Sequence, residues 1–106
     1  MIITGGEKVF PSEVEILLAQ HPKIKEVSVV GIPDKKWGES VKAVVIPADG
    51  IKPSKELEQE LIEYTKGKIT TYKRPKSIDF IRPEQMPRTA TGKILRRNIR
   101  DMYKEA

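Results

Sequence analysis

An α+β fold is predicted for this chain of 106 residues: a small, mainly antiparallel sheet of about three strands, with short extra strands, packed with about three helices. Three observations carry that expectation. Two valine-rich runs, Ile24–Ile32 and Glu39–Ile46, have the β-branched composition of strands and are separated by one turn-rich segment. Apolar residues repeat at helical spacing on either side of them, at Val14, Leu17 and Leu18 and again at Leu57, Leu61 and Tyr64. The length suits one domain with a modest core, and the sequence holds no internal repeat, low-complexity tract or second domain.

Each element has local support. Pro11 stands where a first helical residue would be, Glu13 and Glu15 lie near the positive end of the helix dipole, and Pro22 stops the helix. The loop Pro33-Asp34-Lys35-Lys36-Trp37-Gly38 makes an antiparallel pair of the two valine-rich strands the economical assignment. After a loop from Pro47 to Pro53, Ser54 is placed to cap the second helix, which Gly67 ends. Lys76 to Ile81 predicts a short third strand with Ile78 and Phe80 on one side. Beyond a loop from Pro83 to Gly92, Leu95, Ile99 and Met102 predict the buried side of a last helix, with Arg96, Arg97 and Arg100 facing elsewhere.

Composition removes several function classes. The chain is 38% hydrophobic and 33% charged, and no apolar run approaches the length that crosses a bilayer. Zero cysteines exclude a disulfide framework, a zinc ribbon and a thiol nucleophile, and His21 alone argues against a histidine-rich metal site. A cytoplasmic location is the expectation. The net charge of +5 is unevenly spread: residues 1–50 hold 6 Lys+Arg against 7 Asp+Glu, whereas residues 51–106 hold 14 against 8. All six arginines lie in that second half, so it should attract polyanions such as nucleotides, nucleic acid or an acidic protein surface.

Two glycine segments carry the chemistry. Pro87-Arg88-Thr89-Ala90-Thr91-Gly92-Lys93-Ile94-Leu95-Arg96-Arg97 sets a lysine on a glycine loop ahead of an amphipathic stretch, where its charge can meet a polyphosphate. A Walker loop does not fit, because the required earlier glycine is missing and Ile94 follows the lysine. Upstream, Ile2-Ile3-Thr4-Gly5-Gly6-Glu7-Lys8-Val9-Phe10-Pro11-Ser12-Glu13-Val14-Glu15 is a second glycine turn feeding a helix.

In this order and at this separation the two segments resemble the closing motifs of acyl-CoA synthetases of the adenylate-forming (AMP-binding) superfamily, and the resemblance runs from Ile2 to about Tyr103. It implies that residues 1–106 form the small, mobile C-terminal domain of a fatty-acid– or aryl-acid–CoA ligase. The hinge and the large N-terminal adenylation domain would be absent, and the domain alone would be inactive. Peptide-synthetase adenylation domains and luciferases share related motifs; Lys-Ile-Leu-Arg-Arg leans toward the CoA ligases.

By the same resemblance Lys93 bridges the substrate carboxylate and the α-phosphate of ATP during adenylation, on a loop that Thr91 and Gly92 help to form. A flexible ammonium suits that step, since two anions approach each other and no proton has to be removed. Gly5 and Gly6 would line the passage for the coenzyme A thiol after the domain has swung, with Glu7 and Lys8 at the domain interface. Trp37, Tyr72, Arg74 and Lys76 match positions that hold the adenine and phosphates of coenzyme A in some relatives; on composition alone they read equally well as a core aromatic and a solvated basic loop. Magnesium is expected with ATP, although no ligand set for it appears in the sequence. The alternative is a nonenzymatic basic module binding RNA or an acidic protein partner, against which the aromatics form no interleaved stacking strip.

Overall fold

The computed structural model describes residues 1–103. Its centre is a long hairpin of β3 (Ile24–Asp34) and β4 (Gly38–Pro47), paired from Ile24↔Pro47 to Asp34↔Gly38 with one irregularity between Ile24 and Glu26. The side chain of Asp34 folds the tip: one carboxylate oxygen accepts from the amides of Lys36 (2.8 Å) and Trp37 (2.9 Å). Those two bonds, that to Trp37 foremost, hold the carboxyl below its ordinary pKa.

The short extra strands are β1 (Ile2–Thr4) and β2 (Glu7–Val9), an antiparallel hairpin that joins the start of β4 at Thr4↔Gly38. The third predicted strand is β5 (Ser77–Phe80), which lies parallel to Lys42–Val45 of β4. The sheet order is therefore β2-β1-β4-β3, with β5 also on β4, and its single parallel pair leaves it mainly antiparallel.

Both long helices cover one face. α1 (Pro11–Ala19) starts on Pro11, and the Glu13 carboxylate accepts from the Phe10 amide at 3.3 Å. Lys73 donates to the same carboxylate at 2.9 Å and is the main cause of its lowered pKa. α2 (Lys55–Thr65) is capped by Ser54, whose hydroxyl accepts from the Leu57 amide at 3.0 Å. Val14 and Leu18 of α1 and Leu57 and Leu61 of α2 pack on Val29, Val41, Ala43, Val45 and Ile78. His21, beside this core, accepts from the Lys23 amide and packs edge-on against Tyr64, so the sole histidine has structural work.

The opposite face, with Val30, Val44 and Ile46, is covered by the C-terminal segment through Met86 and Ile99, with Ile94 and Tyr103 at the margin. This corrects the predicted stripe of the last helix. α3 (Arg96–Asp101) is short; Ile99 is fully buried and Leu95 half-buried, but Met102 is 53% exposed. Met102 caps a helix of only six residues, and in the chain that follows it Tyr103 takes the apolar contact instead.

Strand amides that face away from the ladder are met by glutamates. Glu15 accepts from Val29 (2.8 Å), Glu58 from Ile78 (2.8 Å) and Glu39 from Ile3 (2.9 Å). Another polar group ties the C-terminal segment down. Lys42, buried in β4, sits 3.0 Å from Asp79 and 4.8 Å above the Tyr103 ring, and the Tyr103 hydroxyl donates to Asp79. Burial pulls the Asp79 pKa upward, but Tyr103 and Lys42 together leave it below the ordinary value; burial, aided by Asp79, raises that of Tyr103.

Asp79→Asn is expected to lower stability at neutral pH by about 1–2 kcal/mol, because Lys42 stays buried without its counter-charge. A depressed carboxyl pKa contributes stability above the unfolded value of about 4 and loses it as pH falls through the folded value. Denaturant titrations of both proteins from pH 7 to 2.5 should therefore converge on the acid side. A constant gap would show that the charge is not what matters.

Candidate functional site

Lys93 stands on a small closed loop. The Thr89 amide donates to the Lys93 carbonyl at 2.8 Å, the Gly92 amide to the Thr89 carbonyl at 2.9 Å, and the Lys93 amide to the Thr89 hydroxyl at 3.1 Å. Arg88 and Ile94 pair across its base, and the Thr91 hydroxyl lies 3.0 Å from that of Thr89. Gly92 takes φ +91°, a backbone conformation a side chain would strain, which is why the turn needs glycine there. The Lys93 side chain is exposed and, among the described residues, forms no ion pair. Its backbone is fixed while its ammonium stays free to reach outward.

The arginines around it are less free. Arg88 grips Glu26 of β3 with both terminal nitrogens, and one of them also lies 3.4 Å from the Gly92 carbonyl. The bond to Glu26 raises the Arg88 pKa further. Arg96 grips Glu15 of α1 at 2.6 and 3.1 Å. Between the loop and β3 these four side chains wall a cleft of about 360 Å³, which Ser28 and Lys93 also line. Arg97 and Arg100 line a separate hollow beside Ile2, Gly31 and Glu39.

The second glycine segment forms the two-residue turn of the β1–β2 hairpin. Gly5 (φ +57°) and Gly6 (φ +84°) both have the positive φ that a tight turn of the I′ kind demands. The Gly5 amide donates to the Trp37 carbonyl at 2.8 Å, and a Cβ on Gly5 would sit 2.9 Å from the Trp37 ring. At Gly6 the space is open. Glu7 and Lys8 are exposed on β2.

Trp37 is 40% exposed at the hairpin tip, not a core aromatic, and the ammonium groups of Lys76 and Lys36 lie 4.5 and 5.0 Å from its ring centre. The structure thus brings Gly5, Gly6, Trp37 and Lys76 together. It treats the other two candidates differently. Tyr72 packs against the main core, and Arg74 donates to the Thr65 hydroxyl at the end of α2 at 3.2 Å.

The two segments are far apart. The stretch of β3 from Glu26, beside the lysine loop, to Asp34, at the tip beside Trp37, spans roughly 25 Å of extended chain. Sequence reasoning missed Glu26 and Lys36, and it named Glu15 in the motif without foreseeing its arginine partner. Lys36 carried a local signal, adjacency to Trp37. The pairings of the two glutamates had none, because their arginine partners are 62 and 81 residues away. Among the described residues no group of three or more His, Cys, Asp or Glu side chains is arranged to hold a metal ion.

Comparisons with known proteins agree with this architecture. The family model described as the AMP-binding enzyme C-terminal domain matches residues 13–93. The chain is 44% identical over 103 residues to a long-chain-fatty-acid–CoA ligase of Mycobacterium tuberculosis, covering 97% of this chain and 19% of the ligase. It is 42% identical to a feruloyl-CoA synthase of an Amycolatopsis species, again over 97% of this chain and 20% of the relative. An acyl-CoA synthetase of Brucella canis has the same fold, with a TM-score of 0.89 and 37% identity over 96% of this chain and 18% of that one. The chain therefore spans about a fifth of the length of the curated relatives it matches. With the family match extending from α1 to Lys93 itself, the chain belongs to the AMP-binding enzyme C-terminal domain family.

Proposed function

We propose that this chain acts as the mobile C-terminal domain of an ATP-dependent acid–CoA ligase, working in the cytoplasm against its own large N-terminal adenylation domain. The observation that carries the reading is the placement of Lys93 and Gly5-Gly6 at opposite ends of the β3–β4 hairpin. One reacting centre cannot be served by both ends at once. The domain therefore presents the lysine loop for the first half-reaction and turns to present the glycine hairpin for the second.

In the first half-reaction a carboxylate oxygen of the acid attacks the α-phosphorus of ATP, and the bond to the pyrophosphate oxygen breaks. Acyl-adenylate and pyrophosphate result. Negative charge accumulates on the nonbridging oxygens, and the Lys93 ammonium stabilises it without taking up a proton. Magnesium accompanies ATP, held outside this domain. In the second, the thiol sulfur of coenzyme A attacks the acyl carbon, AMP leaves, and the thiol proton passes to solvent. Gly5 and Gly6 leave room for the pantetheine arm, while Lys36 and Lys76 at Trp37 offer positive charge to the phosphates of coenzyme A. A carboxylic acid as substrate is supported by the names of the relatives, which specify a long-chain fatty acid and a feruloyl group.

Lys93→Ala in the complete ligase is expected to slow adenylate formation by roughly 100-fold or more while conversion of supplied acyl-adenylate to thioester changes far less. Gly6→Leu should show the reverse pattern, with the second half-reaction impaired. Pyrophosphate release and thioester formation, assayed separately, decide the matter; damage to the same half-reaction by both variants would refute the two-ended domain. The isolated chain should catalyse neither step.

The basic-module alternative is weakened by the internal use of the arginines, since Arg82, Arg88 and Arg96 are each paired with a glutamate. RNA binding measured between 50 and 200 mM salt should be weak at every concentration. Tight binding with a steep salt slope would favour the alternative.

A further inference from the structure

The lysine loop needs a fixed base if its free ammonium is to arrive at one place. The loop's own hydrogen bonds close it on itself but do not orient it relative to the rest of the domain. Ile94 at the core margin and Arg96 on Glu15 hold the residues that follow the loop, and Arg88 holds the side that enters it. Arg88 holds Glu26 in a two-pronged grip on β3 and approaches the Gly92 carbonyl, the peptide group directly before Lys93. Both partners are about one-third exposed, so neither is needed to fill the core. Glu26 lies on the main β3–β4 ladder opposite Ile46, next to the irregularity that separates it from Ile24.

We infer that Glu26, acting through Arg88, is a positioning residue for Lys93, and that the pair sets where the ammonium stands when the loop enters the reacting centre. The inference rests on the role proposed for Lys93 and deepens it. Glu26 also has an electrostatic effect in the cleft. By neutralising the guanidinium of Arg88 it leaves Lys93 as the one cation on the loop able to engage an incoming anion. An unpaired Arg88 would compete for the same phosphate oxygens at the wrong point.

The test uses the complete ligase and assays the two half-reactions separately. Glu26→Gln and Glu26→Ala should lower kcat for adenylate formation by about 10- to 100-fold, the range expected when a catalytic group is displaced by about an ångström. KM for ATP should stay within about twofold or fall, and thioester formation from supplied acyl-adenylate should stay within about twofold. Arg88→Lys should be intermediate. The exchanged pair, Glu26→Arg with Arg88→Glu, should recover much of what either single change loses. A purely structural role would depress both half-reactions and the melting temperature together, and that outcome would overturn the inference. So would normal adenylation in Glu26→Ala while Lys93→Ala is inactive. Normal adenylation in Lys93→Ala would instead overturn the role of Lys93 itself, and the positioning role with it.

Discussion

Everything in this domain is referred to the β3–β4 ladder. Its two strands run side by side from Ile24↔Pro47 to Asp34↔Gly38, and no other pairing approaches that length. One face receives α1 and α2; the other receives the C-terminal segment. The lysine loop is fastened near one end through Glu26, and the glycine hairpin leans on Trp37 at the other. A cooperative ladder of that length is stiff compared with the turns it carries, so the separation of the two segments is a property of the fold and not of loop conformation. Under the proposed function, that stiffness keeps the two segments from reaching one centre together.

Charge is used locally before it is offered outward. The excess of positive residues in the second half suggests a broad basic face, yet much of it turns inward to carboxylates from the first half. Arg88 meets Glu26, Arg96 meets Glu15, and Lys73 meets Glu13. Exposed pairs of this kind add little stability one by one. Their effect here is geometric: two fix the C-terminal segment to β3 and α1, and the third fixes the turn before β5 to α1. Among the described residues Lys93 forms no ion pair, whereas Arg88 and Arg96 on either side of it do.

The legible parts of the fold were those whose signals are short-range. α1 was marked by Pro11 and its apolar spacing, α2 by Ser54 and Leu57, Leu61 and Tyr64, and the central hairpin by valine content and a turn-forming loop. The parallel course of β5 was not readable, because it depends on how the intervening α2 crosses back over the sheet. Met102 was misplaced because a helical stripe was extended past the end of a helix of only six residues. Lys93, Gly5 and Gly6 were singled out by motif and resemblance. Trp37 and Lys76 proved to be neighbours, whereas Tyr72 and Arg74 are engaged by the core and by α2. Partnerships such as Arg88 with Glu26 join distant stretches of chain, and no periodicity encodes them.

The glutamate that meets the Val29 amide has a further consequence. β3 is an edge strand, valine-rich and long, and such an edge ordinarily invites a foreign strand to add to the sheet. The Glu15 carboxylate occupies the amide that an intruding chain would need, and Arg96 holds that carboxylate in place. The long free border of β3 is thereby guarded against self-association at that point.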